Sequence, residues 1–293
     1  MKKGWKIGFI VLCVLLAASL CANAYFLFWS NDTNVCYLQS TDEIKIMETG
    51  ILKDLEKFSQ GEDIAFTYDF ENEALAQLRD KYDIEKIAGT GSESERAFRL
   101  MDEFAPRLTH ESNLTAELEM KALPLLEYSL DNRSHGINCR CKAQILNEMC
   151  LSLGIYSRKL WINPISPYDS DCHVVNEVWD SSLGKWIMLD ITNNEYWIDE
   201  NGTPLSVLEI RKKGANNEFC TPARPGNDTS KPEKLYDRYL ADYLYIMKNM
   251  AYTYYCVECT VGESNPKYML KPEMLNSNYE YLISEKSIEA APF

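Results

Sequence analysis

The stretch GINCRCKAQILNEMCLSLGI, residues 136–155, holds three cysteines, Cys139, Cys141 and Cys150, and their positions separate their chemistry. Cys139, Ala143, Leu146, Cys150 and Leu153 recur at intervals of four, three, four and three, the spacing of one helix face. Asn138 is suited to cap the start of that helix and Gly154 to end it. Cys150 falls more than two turns inside, where a buried small hydrophobe is the simplest reading. Cys139 falls in the first turn, where unpaired amides and the helix dipole favour a thiolate. Cys141 points elsewhere, towards solvent or into a disulfide with Cys172.

A thiolate needs a proton acceptor, and the chain has three histidines, His110, His135 and His173. His173 opens the apolar run HVVNEVWD, which the turn-like SSLG connects to KWIMLD. If that hairpin pairs Val178 with Lys185, His173 falls opposite Asp190. A two-residue slip either way keeps the two on one face as diagonal neighbours. A carboxylate beside an imidazole fixes its tautomer and stabilises its protonated form, so the strands supply a base and its orienter. His135, four residues before Cys139, reads as a solvated loop residue and His110 as a helix-end residue. Glu177 shares a strand face with His173, either as a supporting group or as a salt-bridged carboxylate.

The elements that must position these groups are helices first and strands afterwards, an α+β pattern. Helical periodicity covers 41–59, 72–88 and 95–107, with Ser92 and Glu95 forming a capping box. Residues 112–130 read as a further helix that Pro124 bends or breaks. Strand-like runs follow at 156–163, 172–180 and 185–191. Residues 214–233 read as a surface loop and 235–250 as a helix with Tyr236, Tyr239, Tyr243, Met247 and Met250 on one face.

Residues 7–29 contain no charged side chain and would span about 34 Å as a helix. Two readings compete: an uncleaved anchor, or a signal peptide cut after the small residues of 22–24. Lys2, Lys3 and Lys6 precede the run, so the positive-inside tendency places the rest of the chain outside the cytoplasm, tethered to the membrane or secreted after cleavage. A formal net charge of −14 disfavours nucleic acid as a partner. The ten cysteines include eight beyond the apolar segment, an even number that permits but does not require disulfides. A zinc site built from Cys139, Cys141, Cys172 and His173 is an alternative use of the same residues. The CVEC of 256–259 is either a structural pair on a strand or, with a turn, a redox or metal pair.

Cys139, Ala143, Leu153, Gly154, Ile155 and Arg158, followed by HVVNEVW and KWIMLD, resemble the core of the transglutaminase-like superfamily. The resemblance covers about residues 136–192. It implies a papain-like fold in which the cysteine-bearing helix packs on an antiparallel sheet, preceded here by the N-terminal transmembrane helix and a helical segment. The implied organisation is a signal anchor at 1–30, a helical segment at 31–130 and a catalytic core with a C-terminal extension at 131–293. It further implies Cys139 as nucleophile, His173 as general base and Asp190 as orienter of an acyl transfer on peptide or protein amides, without metal or organic cofactor. The family also leads one to expect a Trp or Gln upstream as second oxyanion donor, and residues 95–135 contain neither. The competing class is the same fold with a spent site, serving as a binding or assembly module.

Overall fold

The computed structural model describes residues 2–28, 42–166, 168–225, 242–262 and 265–293. The helices are α1 (Lys2–Phe28), α2 (Asp42–Asp54), α3 (Glu73–Lys81), α4 (Ile84–Ala88), α5 (Glu93–Phe104), α6 (Ala122–Asp131), α7 (Cys139–Ser152), α8 (Val207–Ala215), α9 (242–249) and α10 (Glu285–Glu289). The strands are β1 (Thr67–Tyr68), β2 (Ser157–Asn163), β3 (His173–Asp180), β4 (Lys185–Asp190), β5 (Glu195–Ile198), β6 (Thr221–Ala223), β7 (Tyr252–Tyr255), β8 (Glu258–Cys259) and β9 (Tyr268–Leu270). Seven of them form one antiparallel sheet in the order β6-β5-β4-β3-β2-β7-β9, and β1 and β8 make a short parallel pair. Cys36, Tyr236 and Tyr239 lie outside the described residues, as do residues 226–233 of the loop expected at 214–233, whose described part departs from a plain loop by holding the end of α8 and the strand β6.

Although α1 is helical over the N-terminal apolar run, the membrane-spanning anchor expected there is overturned. Among the described residues no helix is long and apolar enough to cross a membrane. α1 also contains Ser19 and Asn23, and the Asn23 amide donates back to the Ser19 carbonyl at 2.8 Å. The placement of the chain as a membrane-tethered or secreted extracytoplasmic protein rested on that segment and is withdrawn with it.

Local chemistry explains where several elements begin and end. Ser92 and Glu95 close the capping box at the start of α5. Pro124 does not bend a long helix: α6 begins only at Ala122, and the proline occupies its first turn, where a missing N–H costs nothing. The start of α6 lacks a capping side chain of its own, and Glu148 of α7 substitutes, its carboxylate accepting from the Ala122 amide at 3.0 Å. At the end of α7, Gly154 adopts φ 71°. Its N–H donates to Leu151 O and that of Ile155 to Cys150 O, both at 3.0 Å, the paired bonds of a Schellman ending.

The sheet separates two apolar layers. On one face α7 packs against β2 and β3, with α3, α5 and α6 covering its outer side. Leu146, Met149 and Cys150 meet Val178, Ile187 and Leu189 there. On the other face Leu160, Val175 and Met188 pack with Val207 and Ile210 of α8 and with Ile246 and Met247 of α9. Covered on both sides, α7 is buried at every position from Cys141 to Ser152, so the single apolar stripe read from its periodicity is only the sheet-facing part of its packing.

Candidate active site

α7 begins at Cys139, β3 begins at His173 and β4 ends at Asp190. Because β3 and β4 are antiparallel, the last two positions lie at the same end of the sheet. Asn138 caps α7, its side-chain oxygen accepting from the Cys141 amide at 3.1 Å. Cys139 is a partly exposed free thiol in the first turn.

The register of the hairpin differs from the expected one by two residues: Val178 faces Ile187 and Asp180 faces Lys185. The cause is a tighter turn than the sequence implied. One Asp180 carboxylate oxygen accepts from the Ser182 and Leu183 amides at 3.0 and 3.1 Å. Gly184, at φ 65°, donates its N–H to the Asp180 carbonyl at 2.8 Å. The other Asp180 oxygen accepts from Ser94 at the start of α5. His173 and Asp190 are consequently diagonal neighbours on one face, within the slip that the pairing tolerates.

His173 Nε2 lies 2.7 Å from Asp190 Oδ2. The Asp190 carboxylate also accepts from the Thr192 amide at 2.9 Å, the Asn193 amide at 3.4 Å and the Asn193 side chain at 3.0 Å. The Cys139 side chain lies close enough to the same imidazole to raise its pKa. Burial of His173 disfavours its charged form, but Asp190 and then Cys139 outweigh it and raise the pKa to about 10. Burial likewise pushes the Asp190 carboxyl up, and His173 with the Thr192 and Asn193 amides brings it below the ordinary carboxylate value. This is the pattern of a carboxylate that stays ionised beside an imidazole that stays protonated.

The walls are apolar and aromatic. Cys139 and Tyr254 pack against Ala143, Trp161, Val174 and Cys256, and the Tyr245 ring presents itself edge-on to His173, centroids 5.4 Å apart. Lys248, also on α9, bonds Asp169 at 3.0 Å and Asp171 at 3.2 Å, fastening the segment that leads into His173.

The remaining candidates sort differently. His135 stacks on Tyr128, centroids 4.4 Å apart, and its Nδ1 donates to the Tyr128 carbonyl at 2.9 Å, which holds it on α6. Glu177 is a structural anchor: it takes Arg158 at 2.6 and 2.9 Å and the Val207 amide at 2.9 Å, and the Arg158 guanidinium lies 3.9 Å over the Trp186 ring. Cys141 is neither solvent-facing nor bonded to Cys172. It is buried with its sulfur 3.8 Å from Met120 Sδ, and Cys172 is an exposed free thiol. Among the described residues no group of three or more His, Cys, Asp or Glu side chains is placed to hold a metal, which removes the geometric basis of the zinc alternative. In CVEC the strand breaks after Tyr255, both cysteines are buried and burial pushes the Cys259 thiol up to about 12, an inert pair.

Two groups near Cys139, His173 and Asp190 were not signalled by the sequence as site residues. His110 bridges Ile137, two residues before Cys139. Burial, then Lys142, then His173 lower its pKa. Lys142, one helical turn beyond Cys139, is 2% exposed. Gly136 permits the close pairing that brings His110 in, since a Cβ there would stand 2.6 Å from that of Glu111.

No family model and no curated protein sequence matches the chain. Among solved structures a "putative protease" from Parabacteroides distasonis is similar over 55% of this chain and 30% of that one, at 17% identity and a TM-score of 0.26. The chain thus corresponds to less than a third of that protein's length, and a likeness this distant carries no argument about activity.

Proposed function

We propose that the protein is a thiol-dependent acyl hydrolase or acyl transferase acting on peptide or protein amides, in the manner of the transglutaminase-like superfamily that residues 136–192 resemble. The observation that supports this most is the imidazole of His173 bonded to Asp190 at 2.7 Å, with Cys139 close enough to raise the pKa of the same ring. In this reading the Cys139 thiolate attacks the amide carbonyl carbon. The oxyanion forms beside the Cys139 main-chain N–H, which has no intrahelical partner. His173 gives its proton to the departing amine as the C–N bond breaks, leaving a thioester. It then takes a proton from water or from a second amine, which attacks the thioester and releases the thiol. Asp190 keeps the ring oriented throughout.

The test is iodoacetamide labelling of the purified chain at neutral pH, read by peptide mass spectrometry, together with the burst of p-nitrophenol on mixing with p-nitrophenyl acetate. The expected result is preferential modification and acylation of Cys139, both lost in His173→Ala. Labelling of Cys139 and Cys172 at equal rates, unaffected by His173→Ala, favours the non-catalytic binding module instead.

A further inference from the structure

A lysine buried in a folded protein is ordinarily paired with a carboxylate, because an isolated ammonium is costly to remove from water. Lys142 departs from that pattern. It is 2% exposed, and among the described residues its ammonium makes no hydrogen bond or ion pair. The nearby Asp190 carboxylate is committed to His173, Thr192 and Asn193.

Its position explains what it faces. Residues three apart on a helix are neighbours on one face, and helical side chains lean towards the N-terminus, so the Lys142 chain runs back alongside the first turn that carries Cys139. Burial pulls the Lys142 pKa down, while Asp190 and then Cys139 push it up. Its charge is also felt by His110 on the adjoining segment. The Lys142 side chain therefore lies towards the Cys139 end of α7, close enough to Asp190 and His110 for its charge to act on both.

Charge balance gives it a task. A thiolate, an imidazolium and a carboxylate enclosed together carry one surplus negative charge, and a water-poor setting makes an uncompensated charge expensive. We propose that Lys142 is a positioning residue whose ammonium cancels that surplus and so holds Cys139 as a thiolate beside a protonated His173. The assignment rests on the acyl-transfer reading and adds to it a fourth charged group.

The experiment measures the rate of Cys139 alkylation by iodoacetamide against pH in the full chain, for the wild type, Lys142→Met and Lys142→Arg, with thermal unfolding of each. The expected result for Lys142→Met is a profile displaced upwards by about one pH unit, with Cys139 alkylated about tenfold more slowly near pH 6. Its melting temperature equals or exceeds that of the wild type, because an unpaired buried cation has been removed. Lys142→Arg, which keeps the charge, retains the wild-type profile. A Lys142→Met profile superimposed on the wild type overturns the proposal, as does a lowered melting temperature with an unchanged profile. His173→Ala judges the acyl-transfer reading and Lys142→Met judges this one, so the two failures fall on different variants.

Discussion

Asp190 reaches His173 from a diagonal position, two residues out of direct opposition across the β3–β4 pair, and closes on Nε2 at 2.7 Å. The carboxylate is held there by three further donors from Thr192 and Asn193. The imidazole orientation thus depends on the tight turn that follows β4 as much as on the strand itself. Replacing Asp190 by Ala removes the group that favours the protonated ring. The expected outcome is a fall of about 10²- to 10⁴-fold in acylation by p-nitrophenyl acetate, with circular dichroism unchanged.

The same pair makes a prediction about stability against pH. The folded-state pKa of His173 is raised from 6.5 to about 10, so its contribution is fully present below pH 6.5 and is lost as pH rises through the folded value. Asp190 is depressed, so its contribution is present above the ordinary carboxylate value and is lost as pH falls through the lower one. Urea unfolding of wild type and Asp190→Asn in parallel checks both signs. The stability difference between them is expected to be widest between the ordinary carboxylate value of 3.8 and pH 6.5 and to shrink towards pH 10 and towards strong acid. A difference that is flat with pH contradicts the coupling.

Arg158 and Glu177 form a buried ion pair that also receives the Ile288 carbonyl and the Val207 amide, tying the sheet to α8 and to the C-terminal segment. Glu177→Ala leaves the guanidinium without its carboxylate in a closed aromatic box. A loss of about 3–5 kcal/mol in urea-derived stability is expected. The alkylation rate of Cys139 in the remaining folded protein is expected to stay near the wild-type value, since Glu177 bonds Arg158 and Val207 and none of Cys139, His173 and Asp190.

Glu148 joins three elements, accepting from the Ala122 amide at the start of α6, the Gly262 amide and Gln144. Burial raises its pKa against those donors. Glu148→Ala orphans two main-chain donors inside the fold and is expected to cost about 2–3 kcal/mol, measured as a drop in the urea midpoint.

Gly136→Ala is expected to destabilise by about 1–3 kcal/mol, because its Cβ would press on Glu111 main-chain and side-chain atoms. Since that contact brings His110 near His173, the variant should also alter the pH dependence of Cys139 labelling. A neutral effect on both measurements would show that the two segments separate freely.

What was legible in the sequence follows the range of the interactions involved. The Ser92–Glu95 box, the Asn138 cap and the Gly154 ending are satisfied within a few residues, so their residue types alone specify them. The sharing of one face by His173 and Asp190 survives a two-residue slip, so it was readable even though the slip occurred. The slip itself was not readable, because Asp180 is fixed partly by Ser94, 86 positions away. Cys141 and Lys142 were misjudged or passed over for one reason: a helix with an outer face normally sends such residues to water, and here α3, α5 and α6 cover that face. Pro124 was read as a kink because nothing local indicated that residues 112–121 stay outside the helix.

The enclosure of α7 has a consequence for how the sulfur is carried. Segments buried on all sides exchange their amide hydrogens only when the whole molecule opens, and Cys141–Ser152 should therefore be among the slowest-exchanging amides in the chain. The thiol thus rides on the least labile part of the protein. Under denaturant the rate at which it is labelled is expected to change in a single cooperative step, together with the fold, and not gradually through loosening of a flexible loop.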